Sequence, residues 1–201
     1  TREEGLEFYR LSPEKKHLLI IGGSLGSGTL NRSVMKWISE GCQGGEKLEV
    51  LWQCGKYYKK SVDEFMKKAE SEGLGGKALA GVRPMDFIGR MDLAYAVADA
   101  VVSRSGASSV SEICACGKAA IFVPSPNVAE DHQTHNAMAL VKEGAGMLVK
   151  DSEAPERLMS TACALLDDPR KIGDMEMNAL KLARPDAAQS IVDEIYKNLT
   201  L

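Results

Sequence analysis

Residues 101–117 read VVSRSGASSVSEICACG. Two valines with the look of a buried strand run directly into Ser-Arg-Ser-Gly-Ala-Ser-Ser, and a helical pattern starts among the serines. Ligands of an open α/β sheet bind beyond the carboxyl ends of its strands, so a strand-to-helix turn made of small residues is where function belongs. A helix start exposes unpaired N–H groups and the positive end of the macrodipole, and can hold a diphosphate without any lysine. Bulk at Ser105, Gly106 or Ala107 would keep phosphate oxygens out of reach, whereas a purely structural cap would need one serine only.

Glu112 follows one turn deeper, and its two acceptor oxygens suit the vicinal hydroxyls of a ribose. The plainer reading is a first-turn acid that complements the helix dipole, worth about 0.3–1 kcal/mol. Ile113, Ala115 and the two cysteines make the helix otherwise apolar, so it is expected to be largely buried and Glu112 to need a partner. Arg104 is either that partner or a brace for the loop. Cys114 and Cys116, two apart on a helix, point away from each other and read as packing residues.

Outward from this stretch, short apolar runs alternate with helical patterns. Strands are expected near 17–22, 47–53, 80–87, 99–103, 119–123 and 146–149. Leu30, Val34, Trp37 and Ile38 keep one helical face; Val62, Phe65, Met66 and Ala69 keep another. The fold class is α/β, a doubly wound parallel sheet of about six strands with C-terminal helices. Those helices cover roughly 154–167 and beyond, the last starting at Arg184-Pro185-Asp186 because proline suits a first turn.

The chain has 201 residues, 44% hydrophobic and 26% charged, enough for one sizeable core, and residues 1–201 read as a single domain. A formal net charge of −3 gives no basic field for nucleic acid or an anionic membrane surface. Five cysteines, odd in number and irregularly spaced, with no signal-like start, predict a reducing cytoplasm. No run of about 18 apolar residues spans a membrane. Residues 1–15 form a charged, helix-prone lead-in without an initiator methionine, as expected of a piece of something longer.

A second turn stands out at 18–31, LLIIGGSLGSGTLN, which is neither a GxGxxG fingerprint nor a Walker A loop. Its glycines serve either the backbone angles of a tight turn or, at Gly22 and Gly23, the approach of a ligand, with Ser24 offering a hydroxyl and an amide to a phosphate or its sugar. The third segment, VPSPNVAEDHQTHNAMAL at 123–140, crosses a proline-rich loop into a helix at about His132, capped by Asp131 in the plainer reading. Asp131, His132 and His135 lack a third strong ligand, so no metal is expected. His132, Gln133 and Asn136 suit hydroxyl recognition better, since imidazoles and amides both donate and accept.

In order and spacing, GGSLG at 22–26, FIGRM at 87–91, RSGASSVSEICACG at 104–117 and EDHQTHNA at 130–137 resemble the C-terminal half of the MurG family. These are the bacterial N-acetylglucosaminyltransferases that make the final lipid-linked precursor of peptidoglycan. The resemblance implies the Rossmann-like donor half of a two-domain GT-B glycosyltransferase, with UDP-N-acetylglucosamine as donor substrate and no tightly bound cofactor. It makes Glu112 the ribose ligand, the amides of Ala107, Ser108 and Ser109 the diphosphate cradle, and Ser24 a further phosphate neighbour. Ile88 would read the uracil edge through its backbone, with Phe87 and Met91 lining the pocket, and His132 and Gln133 would bond the donor sugar. Gly23, Arg104 and Gly106 belong to the same turns.

The family pattern has Gln-Gln at the sugar position where this chain has His-Gln. The resemblance also implies partners that these residues do not contain: an N-terminal acceptor domain carrying the general base, a lipid-linked acceptor, and membrane contact mainly through that absent half. The full-length protein would be peripheral on the cytoplasmic face of the bacterial inner membrane. The half alone is expected to bind donor and to transfer little or nothing. A natural donor-binding subunit of a split glycosyltransferase and a non-catalytic sugar-nucleotide sensor are the alternatives, and an NAD-dependent oxidoreductase is disfavoured by the absent GxGxxG.

Overall fold

The computed structural model describes residues 1–199. Six parallel strands form one sheet: β1 (Lys16–Ile21), β2 (Leu48–Gln53), β3 (Val82–Met85), β4 (Ala100–Ser103), β5 (Ala120–Phe122) and β6 (Met147–Leu148), in the order β3-β2-β1-β4-β5-β6. All six residues of β2 are buried, as are five of the six in β1. Strands covered on both faces have no solvent side to mark with polar residues, which is why they read as continuous apolar runs.

Alternate residues feed two cores. Leu18, Ile20, Val50, Trp52 and Val102 face α2 (Gly28–Ser39), α3 (Lys59–Ser71) and α7 (Ala154–Leu166). Leu19, Ile21, Leu51, Val101 and Phe122 face α4 (Met91–Val97), α5 (Ala107–Ala115) and α6 (His132–Lys142). The sheet is doubly wound, as the sequence predicts. Strand order reverses between β1 and β4, whose ends pair at Ile21 and Ser103, and the crevice beyond such a reversal is where open α/β sheets hold ligands.

Two elements differ from the sequence reading. The strand expected over 80–87 is confined to Val82–Met85, because a 3₁₀ turn occupies Gly76–Gly81. The helix α4 had no signal of its own, since Leu93–Val97 runs on into Ala98–Val102 without a breaking residue. The helix-prone lead-in does form a helix, α1 (Arg2–Tyr9), closed by a capping box between Thr1 and Glu4. It packs on α4 so closely that a Cβ on Gly5 would lie 2.5 Å from Val97 Cγ1.

The base of this lead-in carries a partly buried charge cluster. Arg2 pairs with Asp99 at 3.1 Å, and the His17 amide donates to the same carboxylate at 2.7 Å. Burial pushes the Asp99 carboxyl up, but the hydrogen bonds from His17 and the charge of Arg2 outweigh it and hold it below its ordinary value. A carboxylate with a lowered folded-state pKa adds stability that is present above the unfolded pKa of about 3.9 and is lost as pH falls through the folded value. Asp99→Asn is therefore expected to lower stability at neutral pH and to flatten the acid limb of the curve below about pH 4, measured by urea unfolding across pH.

After α7 come α8 (Pro169–Leu182) and α9 (Ala187–Leu199); the latter starts just past Arg184-Pro185-Asp186, so Pro185 lies ahead of the helix and not in its first turn as the sequence predicts. No residue of α9 is buried.

Candidate functional site

Three turns meet at the carboxyl edge around the β1/β4 reversal. The turn after β1 has Gly23 at φ +84° and Gly26 at φ +83°, so backbone angle accounts for both. Gly26 also lies flat on β2's exit, where a Cβ would stand 2.2 Å from the Cys54 carbonyl oxygen. Ser27 caps α2, its hydroxyl accepting from Leu30 N–H at 3.3 Å. Ser24 is left exposed at the tip, with no hydrogen bond to its side chain among the described residues.

The turn after β4 builds the opening of α5. Ser105 is fully buried; its hydroxyl donates to the Gln133 carbonyl at 2.8 Å and its own carbonyl accepts from Asn136 Nδ2 at 3.0 Å. Its small size is thus a packing demand, not a clearance for phosphate. Gly106 is the N-cap, at φ −62° and ψ 151°, and no side chain caps the helix. The first amide paired within the helix is Val110, with Gly106 O at 3.0 Å. Among the described residues the amides of Ala107, Ser108 and Ser109 have no acceptor, and Ala107 and Ser108 are exposed. Three unpaired donors at the dipole's positive end make an anion-binding surface.

One expectation about this helix is corrected and one alternative is settled. It is not largely buried: Ile113 and Cys114 are its buried residues, while Ser111, Glu112, Ala115 and Cys116 face solvent, because small side chains that score as apolar here only line the outer face. Glu112's partner is not Arg104 but Tyr95, whose hydroxyl donates to Oε2 at 3.2 Å. Burial, followed by the charge of Glu112, pushes the Tyr95 phenol far above its ordinary value, so it remains a donor. Glu112 Oε1 stays open to a ligand.

Arg104 does brace the loop. Its Nη1 donates to the carbonyls of Val123 at 2.9 Å and Pro124 at 3.1 Å and pairs with Asp151 Oδ1 at 2.5 Å. Asp151 Oδ2 in turn accepts from Thr29 Oγ1 in α2 at 3.0 Å. One carboxylate therefore ties the turn after β4 to the start of α2, and nothing in the local sequence around Asp151 signals it.

In the third segment Asp131 sits at φ 50° and its side chain does not cap α6; instead Oδ1 accepts from Thr134 Oγ1 at 2.6 Å. The left-handed backbone swings the carboxylate away from the helix amides. His132 Nδ1 lies 2.9 Å from the Ala129 carbonyl. A carbonyl can only accept, so Nδ1 carries the proton and Nε2 of the neutral ring is an acceptor. Gln133 is partly committed to the fold, Oε1 accepting from Ser125 N–H at 2.9 Å and Ser105 N–H at 3.3 Å. Its Nε2 is the donor that remains. His135 is exposed on α6.

Between β3 and α4, Phe87 is exposed, Ile88 is 2% exposed and Met91 is half-buried. The Ile88 N–H donates to Gln53 Oε1 at 3.3 Å, which leaves its carbonyl as the unengaged backbone group. Gln53 escaped the sequence reading, as did Tyr95 and Asp151. Among the described residues no helix is long and apolar enough to cross a membrane, and no group of three or more His, Cys, Asp or Glu could hold a metal.

Residues 17–191 match the glycosyltransferase family 28 C-terminal domain. The chain belongs to that family. A transferase of Parabacteroides distasonis named UDP-N-acetylglucosamine--N-acetylmuramyl-(pentapeptide) pyrophosphoryl-undecaprenol N-acetylglucosamine transferase is 43% identical over 198 residues, covering 98% of this chain. The protein of the same name in Christiangramia forsetii is 44% identical over 200 residues. This family 28 domain spans 50% of the length of each of these relatives. The crystal structure of Acinetobacter baumannii MurG superposes with a TM-score of 0.74 at 29% identity, over 98% of this chain and 53% of that one. The C-terminal CMP-Kdo binding domain of WaaA from the same organism shares the fold, with a TM-score of 0.65 at 14% identity over 91% of this chain. The family 28 domain is thus the Rossmann-like C-terminal half of a GT-B architecture.

Proposed function

We propose that this domain is the donor half of an inverting N-acetylglucosaminyltransferase of peptidoglycan synthesis, and that it holds UDP-N-acetylglucosamine in the crevice between β1 and β4. The observation that carries the reading is the uncapped start of α5: three unpaired amides at the point of strand reversal, one turn from a glutamate with a free oxygen. In this reading Ala107, Ser108 and Ser109 cradle the diphosphate, Glu112 Oε1 accepts from the ribose, and Ser24 approaches the phosphates from the facing turn. The Ile88 carbonyl accepts from the uracil imide, Phe87 and Met91 flank the base, and Gln133 Nε2 and His132 Nε2 supply one donor and one acceptor to the sugar.

The chemistry follows from the placement. An acceptor hydroxyl attacks the anomeric carbon, the bond to the diphosphate breaks with inversion, and negative charge grows on the departing UDP. Fixed amide dipoles aimed at that charge stabilise it without reorganising, which is the main catalytic service this half can offer. The base, the lipid-linked acceptor and the membrane contact belong to a partner N-terminal domain, which would place the whole enzyme at the cytoplasmic face of the inner membrane.

Calorimetric titration of the chain with UDP, UDP-N-acetylglucosamine and UDP-N-acetylgalactosamine tests the reading. Saturable binding that favours the N-acetylglucosamine nucleotide is expected, and Glu112→Ala should weaken it at least about tenfold, one charge-assisted hydrogen bond being worth about 1.5–3 kcal/mol. Absence of binding by every uridine nucleotide at millimolar concentration would overturn it.

A further inference from the structure

Gln53 closes β2, with its backbone paired between Ile21 of β1 and Met85 of β3. Its side chain is buried, 4% exposed, and both ends are used. Nε2 donates to the Gly23 carbonyl at 2.8 Å, and Oε1 accepts from the Ile88 N–H at 3.3 Å. The two partners fix the amide's orientation, since a carbonyl needs a donor and an N–H an acceptor. Resting on the donor-half reading, we propose that Gln53 is a positioning residue that sets the spacing between the phosphate-facing turn and the base-facing turn, so that one UDP molecule engages both.

Three features of the surroundings support it. The anchor is rigid: the Cys54 amide donates to the Met85 carbonyl at 2.8 Å, Asn31 Nδ2 donates to the Cys54 carbonyl at 3.0 Å, and Trp52 Nε1 donates to Asn31 Oδ1 at 2.9 Å. The residue type is also constrained, because a side chain of this length must donate at one end and accept at the other. Glutamate has no proton to give, and methionine has neither group. Finally, burying an amide is costly unless both ends are satisfied, so a position with only a packing role would be filled by an apolar side chain. Neither turn reaches the other by a direct hydrogen bond among the described residues, which leaves Gln53 as the strut between them.

The geometry separates ligands that touch one turn from ligands that span both. Uridine touches the base-facing turn and, through its ribose, Glu112, but not the turn after β1, whereas UDP needs the base-facing turn and the turn after β1 at the right separation. Amide NMR titrations of the intact chain with uridine and with UDP measure each, for the wild type, Gln53→Met and Gln53→Asn. Methionine keeps the volume and removes both hydrogen bonds; asparagine keeps the amide but is too short to reach both turns. In each variant UDP affinity should fall about tenfold, as two neutral hydrogen bonds suggest, while uridine affinity changes less than twofold. The Ile88 amide proton of ligand-free Gln53→Met should move upfield, as a donor that has lost its acceptor does.

Unchanged UDP affinity in the variants would overturn the proposal. So would an equal fall for uridine and UDP accompanied by a lower melting temperature, which would make Gln53 a structural residue only. Should Gln53→Met not fold, Gln53→Asn alone decides between these outcomes. A wild-type chain that binds neither uridine nor UDP would instead remove the donor-half reading, and this proposal with it.

Discussion

Gly106→Asp is expected to abolish UDP binding while leaving the domain as stable as before, or more so. Gly106 is the N-cap of α5 at φ −62° and ψ 151°, a conformation open to any residue, and a Cβ there would meet nothing within 4 Å. Aspartate is among the best N-caps; over glycine it gains a few tenths of a kcal/mol from the cap and about 0.3–1 kcal/mol from the helix dipole. For a domain of this size that raises the melting temperature by about 2–4 °C per kcal/mol. Yet the carboxylate would accept from the amides assigned to the diphosphate and set a negative charge against it. Two like charges about 4 Å apart repel by about 4 kcal/mol at an effective dielectric of 20, so UDP affinity should drop more than a hundredfold. Uridine, which lacks the charge, should bind unchanged. Scanning fluorimetry beside the two titrations reads both signs, and UDP binding retained by a stabilised variant would place the diphosphate elsewhere.

That contrast shows why parts of this site are legible in the sequence and others are not. A glycine where a serine or aspartate would make the helix more stable departs from what stability asks for, and such departures can be seen one residue at a time. The strands are legible for a related reason: HLLII, LEVLWQ and AVVS are mostly apolar, without alternation, because helices cover both faces of the sheet. The contacts that hold the turns in place are not local. Tyr95 meets Glu112 across 17 positions, Gln53 meets Ile88 across 35 and Arg104 meets Asp151 across 47. Each polar residue looks ordinary in its own window and acquires its role only when β1, β2 and β4 stand side by side. The exposed face of α5 is illegible for a different reason, since alanine, serine and cysteine are small enough to sit in a core or at the surface, and residue type alone does not choose.

Gly26→Ala should destabilise the domain far more than Gly23→Ala, although the two glycines share nearly the same backbone angle. At φ +84° Gly23 has nothing within 4 Å of where a Cβ would lie, so alanine there costs only the left-handed conformation, about 1–2 kcal/mol. At Gly26 the same Cβ would stand 2.2 Å from the Cys54 carbonyl oxygen and 2.9 Å from Gly55 Cα. Both obstacles are backbone, and neither is free to yield: the Cys54 carbonyl is held by Asn31 Nδ2 at 3.0 Å, and Gly55, at φ +89°, is itself pressed against Gly26. Relief requires the turn to lift off the end of β2, adding lost packing and a strained or broken hydrogen bond to the angular cost. The sum is about 3–5 kcal/mol, in the range reserved for a named structural fault. Denaturant unfolding of the two variants in parallel measures the difference. A gap of about 2 kcal/mol or more assigns Gly26 to the close approach of the first turn to β2 and Gly23 to backbone angle alone. Equal losses would mean that the positive φ is the whole requirement, and that the seat of the turn after β1 on β2 is softer than its contacts imply.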